Sequence, residues 1–254
     1  MEITTALLIF LFGLVAGFFN TLAGGASVIT LPLLIFLGLP PIVANATNRV
    51  AIVAQNLSAV AGFQRKGSLE WRYSLWLAIS STAGSIWGAE LALNVGDEAF
   101  KKILALVMVI VGGVILWNPQ QRYHHDQEAM GLKQRLIAAV LFFFIGIYGG
   151  FLQAGVGLVM IASLGLVNNL KLTKINTIKV MVMGIYSLAA VIVFAINDKI
   201  NWPYALVLAL GNSVAAWLTS QWSVGKGETW IRPVLVFCVL VMAIKLSGVW
   251  QLVF

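Results

Sequence analysis

The stretch Gly13-Leu14-Val15-Ala16-Gly17-Phe18-Phe19-Asn20-Thr21-Leu22-Ala23-Gly24 returns in the second half of the chain as Gly146-Ile147-Tyr148-Gly149-Gly150-Phe151-Leu152-Gln153-Ala154-Gly155-Val156-Gly157. Gly13, Gly17, Phe18 and Gly24 recur as Gly146, Gly150, Phe151 and Gly157, and the amide Asn20 recurs as the amide Gln153. The correspondence continues beyond this stretch. Ala46-Thr47-Asn48-Arg49-Val50 falls opposite Asn176-Thr177-Ile178-Lys179-Val180, and the run from Trp71 to Ala78 falls opposite the run from Trp202 to Ala209. Duplication within an apolar chain marks secondary transporters, which bind their cargo between the repeats. A cation in both copies points to an anion as that cargo.

Composition sets the class. The 254 residues are 60% hydrophobic and 10% charged, with a mean hydropathy of +0.95. A soluble domain carries about 25% charge, so the chain reads as an integral membrane protein. The formal charge of +7 does not imply a nucleic-acid partner: the excess Lys and Arg lie in short loops, where they set orientation against the cytoplasmic leaflet. The lone cysteine, Cys238, sits in an apolar run and reads as packing. The residues after Met1 lack the positive flank of a signal peptide, so the first apolar run is expected in the mature protein.

Ten apolar segments are expected, five in each half. They run roughly over 4–19, 23–39, 44–63, 74–93 and 102–117, then 136–151, 156–168, 175–196, 203–222 and 233–253. A full span needs about 20 apolar residues. The third, fourth and tenth segments meet this easily, while the first two of each half read as short and glycine-broken or re-entrant. The glycines concerned are Gly24, Gly25, Gly155 and Gly157. Irregular backbone at membrane depth is tolerated where it is buried in protein or lines a cavity.

Loop charge gives an orientation. Arg65, Lys66, Arg72, Arg122, Lys133, Arg135, Lys171, Lys174, Lys226 and Arg232 fall in one set of loops, and only Lys101, Lys102 and Lys199 in the other. The first set is assigned to the cytoplasm, which leaves both termini outside it. Each half then crosses an odd number of times, so the halves are expected to be inverted repeats. Residues 1–118 form the N-terminal repeat, 119–135 a cytoplasmic linker, and 136–254 the C-terminal repeat. His124 and His125 in the linker are adjacent, not spaced four apart on a helix, and read as solvated residues and no metal site.

Charges inside apolar runs are costly and mark pathways, relays or pairs. Here they are Arg49, Lys179, Lys245 and Glu90. Pro40-Pro41 favours a break before the third segment, with Asn45 or Thr47 as its cap. Arg49 then lies about one turn inside that helix and Lys179 about two turns inside its counterpart. Positive helix N-termini carrying these cations would suit an anion twice over, through free N–H donors and through the dipole. Snorkelling to the headgroups is the competing reading, and it is the expected fate of Lys171 and Lys174. Asn20, Gln153, Thr47, Asn48, Asn176 and Thr177 are candidates to line the same space. Glu90 and Lys245 are expected to form a structural ion pair or lie at the interface, with a coupling role for Glu90 as the alternative. No HExxH, phosphate-binding loop or nucleophile elbow is present, so no enzyme and no cofactor is expected.

These residues carry a resemblance. Gly13-xxx-Gly17-Phe18, Gly24-Gly25, Leu31-Pro32, Ala44-Asn45-Ala46-Thr47-Asn48, Lys66-Gly67 and the Gly146…Gly150-Phe151…Gly155-Val156-Gly157 repeat are similar to the sulfite exporter TauE/SafE family of bacterial membrane permeases, over essentially the whole chain. The resemblance implies export of sulfite or small organosulfonate-type anions across the bacterial cytoplasmic membrane. Asn48-Arg49 stands where that family commonly has a small Thr-Ser pair, and the second half has Asn176-Thr177; both departures bear on the cargo, not the fold.

The expectation is thus an all-α polytopic membrane protein of two inverted repeats, a secondary transporter of a small sulfur or carboxylate anion. An anion channel and a membrane-embedded partner subunit are the alternatives. The partners expected are the anion and the lipid bilayer, with a coupling proton or ion and a homodimer left open.

Overall fold

The computed structural model describes residues 2–23, 27–65, 70–117 and 128–221. Among these the regular structure is helical: α1 Ile3–Ala23, α2 Ser27–Phe36, α3 Pro41–Arg65, α4 Trp71–Asn94, α5 Asp97–Trp117, α6 Leu132–Phe151, α7 Val156–Asn168, α8 Leu172–Ile196 and α9 Trp202–Gln221. Each of the first nine expected segments has its helix. The tenth, with Lys245 and Cys238, lies outside the described residues, as do Gly24, Gly25, His124 and His125.

The short pairs differ from expectation. Helices α1 and α6 are unbroken over 21 and 20 residues, and only α2 and α7, at 10 and 13, are short. At 1.5 Å per residue α2 and α7 rise about 15 and 20 Å, against a hydrocarbon core of about 30 Å. In the second half the irregular backbone therefore falls between α6 and α7 and leaves α6 intact. The segments Ile3–Thr21, Leu132–Phe151 and Leu172–Ile196 are long and apolar enough to cross a membrane. Helices α3 and α4 are long enough as well, at 25 and 24 residues, but Asn45, Asn48, Arg49, Gln55 and Asn56 on α3 and Ser74, Ser81 and Ser85 on α4 lower their hydropathy. All of these are buried. A helix enclosed by others satisfies such groups inside the protein.

Packing crosses between the halves. Helix α1 packs on α9, and α6 packs on α4; α3 packs on α9, and α8 on α4; α3 and α8 pack on each other. Each of these contacts has a counterpart with the halves exchanged. Glycine makes the closest of these possible: a Cβ on Gly17 would strike the Asn212 backbone of α9, and one on Gly146 or Gly150 would strike the Ser81 or Ser85 carbonyl of α4. Helices α3 and α8 run antiparallel. Near the start of α3, Thr47 Oγ1 accepts from the Asn201 N–H in the α8–α9 connection at 3.0 Å. Near the start of α8, Lys174 Nζ meets Glu70 of the α3–α4 connection at 2.9 Å.

Candidate functional site

Helix α3 begins at Pro41, whose fixed φ and missing N–H suit the first helical position. That is earlier than the Asn45 or Thr47 start expected from sequence, so Arg49 lies about two turns inside, not one. Its guanidinium is fully buried and points at the carboxyl end of α6 in the other half. There the chain leaves the helix through extended Leu152 and turns at Gly155, whose φ of +72° favours a residue without Cβ. The last carbonyls of α6 consequently lack intrahelical donors. Arg49 Nη2 donates to Gly150 O at 2.6 Å, and Asn45 Nδ2, one turn earlier on α3, donates to Phe151 O at 3.0 Å. Arg49 Nη1 donates to Gln153 Oε1 at 3.3 Å; Gln153 Nε2 donates to the Tyr186 hydroxyl at 3.0 Å; and the Phe194 ring lies 5.2 Å from the guanidinium carbon.

The second half repeats the arrangement with roles exchanged. Lys179, 1% exposed, lies about two turns inside α8 and reaches the carboxyl end of α1. Its Nζ donates to Asn20 O at 3.3 Å, to Thr21 O at 3.4 Å and to Asn176 Oδ1, on its own helix, at 2.9 Å. Each cation therefore sits on the negative end of the opposite half's first helix. Sequence had placed both at positive helix N-termini. The difference arises because the last carbonyls of a helix attract a cation before any ligand arrives.

The Arg49 cluster holds more charge than its described partners neutralise. The buried polar residues include Arg49 and Lys179 but none of the described acids, Glu2, Glu70, Glu90, Asp97, Glu98, Glu128 and Asp198. A helix carboxyl end carries about half a negative charge, so Arg49 keeps roughly half of its own. Donors remain as well. Arg49 Nε, Asn48 Nδ2 and Asn176 Nδ2 are buried without a hydrogen-bond partner among the described residues. For Asn176 the amide orientation follows from chemistry: the oxygen must face the ammonium, which turns the N–H donors to the other side. Asn48 Oδ1 accepts from Thr30 Oγ1 at 2.7 Å, which ties α3 to α2.

The other expected residues divide. Thr47 is occupied by Asn201, and Thr177 Oγ1 donates to Lys174 O at 2.8 Å, so both hold backbone. Gly157 is buried in the first turn of α7. Glu90 is exposed on α4, and its expected partner Lys245 lies outside the described residues. Lys174, expected to reach the headgroups, instead pairs with Glu70 at 2.9 Å and Glu128 at 2.8 Å. Sequence reasoning missed Asn45 and Tyr186 at the site. Their signal was spacing: Asn45 is four residues before Arg49 and Tyr186 seven after Lys179, each on the cation's helix face. It also missed the buried Asn212–Gln55 amide pair, 3.2 Å apart, that joins α9 to α3.

Comparison with known proteins places the chain among membrane transporters. A probable membrane transporter protein of Haemophilus influenzae is 29% identical over 97% of this chain and 96% of its own length. The probable membrane transporter protein YfcA of Escherichia coli K12 is 26% identical, over 94% and 88%. YunE of Bacillus subtilis, also a probable membrane transporter protein, is 22% identical, over 78% and 81%. No solved structure matches the chain. The family model described as sulfite exporter TauE/SafE matches residues 9–246, nearly the whole length, and the chain belongs to that family of membrane transporters.

Proposed function

We propose that this protein is a secondary transporter that exports a small anion, of the class of sulfite, organosulfonates and related sulfur or carboxylate anions. The observation that carries the reading is the buried charge of Arg49: it is 0% exposed, bonds the neutral Gly150 and Gln153 oxygens, and has no described carboxylate buried with it. A buried cation is stable when it is paired, and in a membrane an unbalanced one marks a pathway. A bound anion would complete the pairing, using Arg49 Nε, Asn48 Nδ2 and Asn176 Nδ2 as donors.

The same residues suggest how access alternates. The exchanged packing and the antiparallel α3 and α8 support two inverted repeats. Arg49 ties the first half to α6, and Lys179 ties the second half to α1. An anion that draws one cation off its helix end loosens one tie while the other holds, which opens one face at a time. The charge count orients the protein in the bacterial cytoplasmic membrane with both termini outside the cytoplasm.

Flux into liposomes containing the purified chain tests the proposal. The expected outcome is saturable, concentrative sulfite movement driven by an imposed proton or sodium gradient. Purely downhill, unsaturable flux would make the protein a channel, and no flux by the chain alone would make it a subunit of something larger.

A further inference from the structure

We propose that the amino-terminal ends of α4 and α6 form a binding site for the headgroup of an anionic phospholipid. The two helices run parallel and close together along Gly84, Gly88, Gly146 and Gly150, where backbone meets backbone. Toward their starts the side chains grow: Tyr73 and Trp76 on α4 face Leu132 and Leu136 on α6. A cavity of about 510 Å³ lies there, which Arg72 and Arg135 also line. Neither arginine has a hydrogen bond or ion pair with any described residue. The acid lining the cavity, Glu70, is already held by Lys174 at 2.9 Å. Glu70 and Gly131 precede the two helices without making a side-chain cap hydrogen bond, which leaves first-turn N–H groups without a side-chain cap and adds positive potential from both dipoles. Two unpaired guanidinium groups suit a phosphodiester in geometry as well as charge.

The walls select a lipid over a soluble anion. From the cavity, the outward faces continue as Trp76 and Ile79 on α4, 50% and 71% exposed, and Leu136 and Val140 on α6, 51% and 59% exposed. This is a track for acyl chains hanging from a headgroup held by the arginines. Basic pockets between membrane helices at the cytoplasmic side bind headgroups in this way. Duplication does not account for the feature, because the positions matching Arg72 and Arg135 in the other repeat are Pro203 and Glu2. The charge belongs to one end of the molecule, which the loop count places at the cytoplasmic leaflet. The site depends on the membrane setting alone and stands or falls apart from the cargo.

Thermal-shift titration of the full chain in an uncharged detergent, with dioctanoyl phosphatidylglycerol, dioctanoyl phosphatidylcholine and glycerol 3-phosphate as probes, tests it. Saturable stabilisation by phosphatidylglycerol alone is expected, weakened about 30-fold in the double variant Arg72→Gln/Arg135→Gln and unchanged in Lys101→Gln/Lys102→Gln at the other end. Should the double variant melt earlier without lipid, the single variant Arg135→Gln is expected to bind about fivefold more weakly. Equal stabilisation by phosphatidylcholine, equal stabilisation by glycerol 3-phosphate, or undiminished binding in the arginine variants would each overturn the assignment.

Discussion

Arg49 shows why a guanidinium was needed at this position. It bonds Gly150 O and Gln153 Oε1 with two separate nitrogens while lying over Phe194, and an ammonium offers neither the fork nor the flat face. Arg49→Gln removes the charge and leaves the Gly150 carbonyl unmet. It is expected to weaken sulfite binding about 100-fold, as loss of one member of a buried charge pair does, and to lower stability by about 1–3 kcal/mol. Arg49→Lys keeps the charge and is expected to lose about tenfold in affinity. Calorimetric titration of the purified variants reads both effects; unchanged affinity in Arg49→Gln and Lys179→Gln together would mean these cations are structural only. That both residues stand in apolar runs was legible from the sequence. Their partners were not, since Arg49 and Gln153 are 104 residues apart and Lys179 and Asn20 are 159 apart.

At the scale of helices, the repeated glycines act mainly by letting backbones touch. Gly150 sits against the Ser85 carbonyl of α4, whereas no described residue lies within 4 Å of a Cβ on Gly113 of α5. Gly150→Ala is therefore expected to force α4 and α6 apart and cost about 1–3 kcal/mol, as overpacking does. Gly113→Ala is expected to stabilise by up to about 1 kcal/mol through helix propensity. Thermal unfolding of the two variants in detergent compares them directly, and equal shifts would contradict the packing role. The glycine pattern was legible as close approach or breakage but did not say which. Gly146 and Gly150 serve packing inside an intact α6, and Gly155 makes the turn. Both uses require a small residue, so local sequence does not separate them.

Across the whole molecule, exchanged packing means that neither half closes its own core. Helix α1 depends on α9 and α6 on α4, so the halves are expected to fold as one unit. The orientation has its own test. In a Cys238→Ser background, Lys133→Cys is expected to react with an impermeant maleimide only from the cytoplasmic side and Lys101→Cys only from outside; labelling of both from one side would overturn the inverted arrangement. Sequence alone determined that the chain is helical, apolar and duplicated, and where nine helices lie, because hydrophobic runs, prolines and loop charges act over a few residues. It also determined that cations stand in those runs. Only the tertiary structure decided what the cations touch and that the first helix of each half is unbroken. Those outcomes depend on how two distant halves cross, and the energy of a charge beside a helix end exists only once the fold has brought the two together.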